Sequence, residues 1–288
     1  MASKFVFRRF LLAGKCILII VAVIIFCRLF LLDIFKIPSN SMNNSLHISD
    51  IIIINKVKYS NSIVPVIDKY IFSMNTDSGG RNDVFVFKRS KVDNEYFVKR
   101  CLGIPGDLVQ DLNNEIVVNK SRSANINTVR YRYRIKYRHY GTLVKDFQLE
   151  NVDRYKNGFE KVSNGILLFL DQEQKKRLLS KKNIISIVRE SKEQGNFLPF
   201  VVPYKGYKVI LSPGIMNNYA ELIREYEHCQ ITSGTDAYQI NGIKTHYYVF
   251  KQNYYYMVGD NRDDSVDSRI YGPIPENNII GKLLFVLN

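Results

Sequence analysis

Hydrophobic positions fall along this chain in three regimes. The first is one unbroken run, Cys16-Ile-Leu-Ile-Ile-Val-Ala-Val-Ile-Ile-Phe-Cys27, headed by Lys4, Arg8, Arg9 and Lys15. The second is a set of short runs rich in Val, Ile, Phe and Tyr and bounded by Asn, Asp, Gly or Pro: Asp50 to Val57, Asp83 to Lys88, Tyr96 to Leu102 and Glu115 to Val118. Such runs predict short strands. Residues 128–140 join them, because Tyr131, Tyr133, Ile135 and Tyr137 alternate strictly with Arg130, Arg132, Arg134, Lys136 and Arg138, one set on each face of a strand. The third regime has a helical period. Ile166, Leu167, Phe169, Leu170, Leu178, Leu179, Ile184, Ile185 and Val188 fit one or two amphipathic helices parted near Ser180. A further helix is predicted from Pro213 to Tyr226, with Ser212 as its N-cap. Strands return from Ala237, with Asn241-Gly242 as a hairpin signal, and residues 73–82 read as a polar loop. The pattern is mostly β, with a mixed insert at roughly 110–250.

The apolar run has three readings. Its twelve residues fall short of the roughly 20 that cross a bilayer. Extension to Phe10 or to Phe35 supplies the length, but takes in Lys15, or Arg28 and Asp33. A signal peptide shares this layout, yet no small-x-small site follows, and Lys15 separates Ala13-Gly14 from Cys16 where a lipoprotein site needs continuity. A buried core helix is the third reading. The uncleaved anchor fits best, with Lys15 reaching back to the interface. Four basic residues precede Cys16, and only Lys36 occurs in the 20 residues after Phe35. That asymmetry predicts a single-pass protein of the cytoplasmic membrane, with its N-terminus in the cytoplasm and the rest outside.

Composition narrows the chemistry. Of 288 residues 41 are basic and 27 acidic, a net charge of +14 that favours anionic partners, either nucleic acid or an anionic membrane face. Four Cys are too few for a disulfide scaffold, and the four His show no pair at ligand spacing, so no metal is expected. Three local clusters then carry candidate chemistry. Ile37-Pro-Ser-Asn-Ser-Met42 follows the apolar segment and, on spacing alone, reads equally as a polar linker. In Tyr96-Phe-Val-Lys-Arg-Cys101, the adjacent Lys99 and Arg100 point to opposite faces of a strand, so one of them faces inward. A buried lysine loses the solvation of its charged form and becomes available as a base, although an edge-strand lysine that blunts aggregation fits the same pattern. The third cluster runs from Gly259 to Gly272 and contains Gly259-Asp-Asn-Arg-Asp-Asp-Ser-Val-Asp-Ser-Arg269, which also reads as a solvated loop of mixed charge. It mimics the start of a calcium loop, but Ser268 and Ile274 stand where that loop needs Gly and Glu.

Taken together and in this order, the three clusters resemble bacterial type I signal peptidase, a membrane-bound Ser-Lys protease. The likeness covers residues 35–58, 82–109 and 253–286, and the stretch from 110 to 250 is similar to the insert of a longer-chain subgroup. The resemblance implies a cytoplasmic N-terminus and transmembrane anchor at 1–35, an antiparallel β catalytic domain at 36–110 and 250–288, and an inserted α+β domain at 111–249. It implies Ser41 as nucleophile and Lys99 as general base. Ser39 falls on an oxyanion-hole serine and Ser265 on the serine that orients the lysine. Asp260, Arg100, Asp267 and Arg269 match buttressing charges, and Phe35, Ile37, Met42 and Val98 match pocket positions. The expected reaction is hydrolysis of signal peptides from exported preproteins after small-x-small, typically Ala-x-Ala, junctions, with no cofactor.

The chemistry is consistent with that likeness, because a serine hydroxyl needs a neighbouring base and no His lies in or beside these motifs. His47 reads as a solvent-exposed turn residue. The sequence departs from the family where a Pro is replaced by Asn44 and where glycines are replaced by Ser49 and Asn82. Cys101 stands where Ala or a small aliphatic residue is usual. It reads as a small buried hydrophobe, with pairing to Cys229 left open. Competing readings are a specialised peptidase maturing one secreted pilin or toxin, a soluble self-cleaving repressor-type protease, and a nucleic-acid binder built on residues 130–138. The anchor argues against the last two and makes anionic lipids the better partner.

Overall fold

The computed structural model describes residues 2–56, 80–89, 95–112, 115–122, 128–149, 160–190, 198–234 and 237–287. Most of the polar loop expected at 73–82, and Val57 at the end of the first expected strand, lie outside them. Helix α1, Ala2–Phe26, contains the apolar run and gives way to a wide helical turn at Cys27–Leu31. Strand β1, Leu32–Lys36, follows at once, so Leu32 to Phe35 belong to the sheet. Among the described residues no helix is long and apolar enough to cross a membrane.

The fold is mostly antiparallel β. Its main sheet is made of β1, β2 (Ile51–Asn55), β3 (Val84–Lys88), β4 (Tyr96–Gly103), β18 (Tyr254–Val258), β19 (Ile274–Pro275) and β20 (Ile279–Leu287). Their spatial order is β1-β2-β20-β3-β4-β18-β19, which sets the last strand of the chain between the second and third. A second sheet joins β5 (Leu108–Leu112), β6 (Glu115–Val118), β7 (Ser121–Arg122) and β12 (Phe200–Val201).

A third sheet is built from β8 (Tyr131–Tyr137), β9 (Glu160–Val162), β10 (Gly165–Leu170) and β11 (Ile184–Arg189), in the order β11-β8-β10-β9. Strand β8 has the predicted alternation, with Tyr131, Tyr133 and Ile135 buried and Arg132, Arg134 and Lys136 more exposed. Helix α2, Tyr140–Leu149, follows it. The helices expected across 165–190 are mostly not helices. Strands β10 and β11 flank β8 there, and only α3, Gln172–Leu179, is helical. In β10 Ile166, Leu167, Leu168 and Leu170 are all buried, so both faces are covered and period-2 alternation is erased from the sequence. Gly165 permits the close approach to β8, since a Cβ there would collide with the Ile135 carbonyl oxygen. Helix α3 starts where Asp171 and Gln174 form a capping box, at 2.7 and 3.1 Å.

Helix α4, Pro213–Glu225, packs on the second sheet through a core that includes Val109, Val202, Tyr219, Leu222, Phe250 and Tyr254. Ser212 takes the N-cap position of that helix but makes no side-chain cap, and Pro213 supplies the first-turn geometry instead. Two small sheets complete the described strands: β13 (Lys208–Ile210) with β17 (Tyr247–Val249), and β14 (Ile231–Ser233) with β15 (Tyr238–Ile240) and β16 (Ile243–Thr245). The Asn241-Gly242 turn joins β15 to β16 with positive φ at both positions, as a two-residue hairpin turn requires.

Candidate active site

Strand β4 carries the central pair of residues. Its neighbours Lys99 and Arg100 stand opposite Phe85 and Val84 of β3 and point to opposite faces of the sheet. Ser41 lies in the turn after β1. That turn is closed by backbone bonds from Asn43 to Asn40 and from Leu46 to Met42, both 2.9 Å, and pinned by the buried side chains of Met42 and Leu46. The loop after β18 locks it from the other side. Asn261 donates its backbone N–H to the Ser41 carbonyl at 3.0 Å and its side-chain amide to the Asn40 carbonyl at 3.2 Å.

Lys99 Nζ lies 2.6 Å from Ser41 Oγ and donates to the Val98 carbonyl at 3.1 Å. Only 3% of Lys99 is exposed. Burial lowers its pKa from 10.5 to about 8, against the pull of Asp267 and Asp260 and with some help from Arg269. An amine so placed exists partly neutral near physiological pH, and can take a proton from the hydroxyl it touches.

Arg100, on the other face, is held very differently. Its guanidinium forks onto Asp260 at 2.8 and 2.5 Å and also reaches the Asn82 carbonyl and the Ser45 hydroxyl. Ser45 and Thr128 donate further hydrogen bonds to Asp260 Oδ2. Burial pushes the Asp260 pKa upward, but the Arg100 bonds and charge outweigh it and hold the carboxyl ionised. A second fork joins Arg269 to Asp267 at 2.8 and 2.7 Å, and Gly259 N–H adds a bond to Asp267 at 3.0 Å. There too burial acts upward on the carboxyl and Arg269 prevails.

The remaining predicted residues divide. Ser39 Oγ lies 3.4 Å from Ser41 Oγ. Ile37, Met42 and Val98 line a cleft of about 400 Å³ together with Pro38, Ser39, Ser41, Tyr96, Phe97, Lys99 and Glu95. Phe35 is not in that lining; it supports it by packing on Tyr96, with ring centroids 4.8 Å apart. Ser265 is buried beside the site, but its hydroxyl makes no hydrogen bond to Lys99. It presses on Gly259, where a Cβ would collide with Ser265 Oγ and stand 2.6 Å from the Ser41 carbonyl. The hydroxyl is also close enough to Asp267 to help lower that carboxyl's pKa.

The description "Signal peptidase, peptidase S26" belongs to the family whose model matches residues 10–192 and 201–288. The chain belongs to this signal peptidase family. It is an enzyme, a serine peptidase. Signal peptidase I of Buchnera aphidicola subsp. Schizaphis graminum is 29% identical to it over 90% of this chain and 69% of its own length. The protein of the same name from Buchnera aphidicola subsp. Baizongia pistaciae is 26% identical over 94% and 73%. That from Pseudomonas aeruginosa is 25% identical over 95% and 70%.

In this signal peptidase the three departures from the family pattern share one backbone property. Asn44, Ser49 and Asn82 have φ of 93°, 77° and 75°. Asn accepts the left-handed region readily, and Ser much less so. The Cys101–Cys229 pairing is ruled out: both are free thiols, buried in separate cores. Burial pushes the Cys101 thiol pKa well up. His47 is exposed, as expected for a turn residue. Sequence reasoning missed Asn261, Ser45, Asn44 and Thr128. The first three stand inside or next to the motifs already singled out, whereas Thr128 carries no local signal.

Proposed function

We propose that this peptidase is a membrane-anchored endopeptidase that removes signal peptides from exported preproteins, with Ser41 as nucleophile and Lys99 as general base. The observation that carries the reading is the 2.6 Å contact between Lys99 Nζ and Ser41 Oγ, in a place where burial lowers the lysine pKa to about 8. Neutral Lys99 takes the Ser41 proton as Oγ bonds to the scissile carbonyl carbon. The tetrahedral oxyanion is met by the Ser41 backbone N–H and the Ser39 hydroxyl. Lys99 passes its proton to the leaving amine as the C–N bond breaks. Water then attacks the acyl ester, Lys99 takes a proton from it, and Ser41 recovers its hydrogen as the ester opens. Asp260 with Arg100, and Asp267 with Arg269, keep the surrounding loops in register, and Ser265 packs the lysine side of the site through Gly259.

The small, mostly apolar cleft suits small side chains before the cut, and hence an Ala-x-Ala junction. Membrane attachment is supported by α1, whose 25 residues extend about 37 Å, and by exposed apolar side chains on the strands that follow it. Ile34, Ile53 and Phe285 form one cross-strand row, and Ile51 and Leu287 part of the next. Phe285 is 63% and Ile34 56% exposed, so this face is suited to rest on lipid, anionic lipid in view of the net charge. The positive-inside asymmetry favours an active site on the outer side. Detergent-purified enzyme is expected to cut a preprotein at its Ala-x-Ala junction, located by mass spectrometry. Ser41→Ala, Lys99→Ala and Lys99→Arg should each abolish the cut, the last because guanidinium stays protonated. Activity retained in any of the three refutes the assignment.

A further inference from the structure

The insert reaches the catalytic site at the start of β8. Residue 128 and the start of β8 lie against both the nucleophile turn and the Asp260 loop. Arg130 N–H donates to the Asp260 carbonyl at 2.8 Å, and Arg262 N–H donates back to the Arg130 carbonyl at 2.9 Å. The Asp263 carboxylate accepts from Arg132 N–H at 2.7 Å. Thr128 Oγ1 donates to Asp260 Oδ2 at 3.1 Å, the oxygen that also takes Arg100 and Ser45. On the nucleophile side the tie is Asn44. Its side-chain amide donates to the Thr128 carbonyl and to Asp171 Oδ2, each at 3.3 Å. Asp171 is fixed in turn, because its other oxygen caps α3.

From this network, and resting on the Ser41 reading above, we infer that Asn44 is a positioning residue through which the insert holds the nucleophile turn against Lys99. The residue is suited to the task in two ways. It adopts φ 93°, which Asn tolerates, and it carries two amide hydrogens that serve two acceptors at once. A Pro, usual in the family at this position, is locked at negative φ, so it cannot take this turn's φ of 93°, and it has no donor to offer. In this chain rigidity comes from outside, through the insert. The two bonds are long and individually weak, so their effect is on alignment more than on stability. A misplacement of 1 Å at a nucleophile lowers the rate by about a hundredfold, and a partial slackening lowers it by less.

The test uses the full chain in detergent, with steady-state cleavage of an Ala-x-Ala preprotein and thermal unfolding of each variant. Asn44→Gly removes the ties while keeping the backbone relaxed. Asn44→Asp keeps the shape but sets a carboxylate against the Asp171 carboxylate. Adding Asp171→Asn restores a donor–acceptor pair with its direction reversed, and Asn still caps α3. We expect Asn44→Asp to lower kcat about tenfold, with KM changed by less than about twofold. Asn44→Gly should lower kcat about threefold, and the Asn44→Asp/Asp171→Asn pair should recover part of the loss, since it restores the tie to position 171 and not the one to the Thr128 carbonyl. Wild-type kcat in folded Asn44→Gly and Asn44→Asp overturns the inference, as does a loss in Asn44→Asp that the double variant does not reduce at all. Ser41→Ala is run alongside. If it keeps full activity, the nucleophile reading is what fails, and the behaviour of Asn44 is then judged on its own.

Discussion

The two faces of β4 treat two neighbouring cations in opposite ways. On one face Arg100 is caged: Asp260 grips it with two oxygens, and the Ser45 hydroxyl and Asn82 carbonyl accept from it as well. On the other, Lys99 is more fully buried, but its hydrogen bonds among the described residues go to a hydroxyl and a carbonyl. The nearest carboxylates raise its pKa through space without contacting it, and burial prevails. The contact with Asp260 thus fixes in place a guanidinium that is always charged, whereas burial without a contacting carboxylate leaves Lys99 a titrating amine. The frame of the site needs the first, and a base needs the second.

The cage is the part whose failure should be largest. Asp260→Asn leaves a buried guanidinium with no charge partner and should destabilise the fold by about 3–5 kcal/mol, measured by denaturant unfolding. An unchanged midpoint would mean that Arg100 escapes to water, and that the two faces differ less than their contacts suggest. The uncaged lysine should give the opposite sign. Its pKa is about 8 folded and 10.5 as a free side chain, so its contribution opposes folding fully below pH 8 and fades between pH 8 and 10.5. Lys99→Met should therefore stabilise the protein at pH 7, by an amount on the order of 3 kcal/mol, and by progressively less towards pH 10.5. In the wild type, kcat/KM should rise about tenfold per pH unit below 8 and level off above it, since only neutral Lys99 accepts the proton. A flat profile from about pH 6 to 9 would exclude Lys99 as the titrating base. The smallest change lies outside both faces. Ser49 holds φ 77°, so Ser49→Gly should raise stability by about 1 kcal/mol with kcat unaltered, as thermal unfolding and steady-state cleavage would show.

Much of this arrangement is legible in the sequence because it is local. The opposed directions of Lys99 and Arg100 follow from strand alternation, and the alternation at 131–137 sets the buried tyrosines of β8 against its more exposed cations. What is not legible depends on the third dimension. Strands β10 and β11 read as helix because β10 is buried on both faces and leaves no period to follow, although Asp171 and Gln174 mark where the true helix begins. Thr128 and Asp171 reach the nucleophile turn from 84 and 127 residues away, and no spacing within a motif announces that. The resemblance implies a bond from Ser265 to Lys99, whereas Ser265 abuts Gly259, a close approach that only packing reveals.

The strand order carries a consequence for how the molecule is made. Strand β20, Ile279–Leu287, lies between β2 and β3, which come far earlier in the chain. Until residues 279–287 have emerged, β2 lacks the strand that joins it to β3, and no sheet bonds tie the Ser41 side of the site to the strand bearing Lys99. Closing the sheet demands contacts of long sequence separation, which form late and slowly. In a nascent chain of this peptidase Ser41 and Lys99 therefore come together only after β20 has been made.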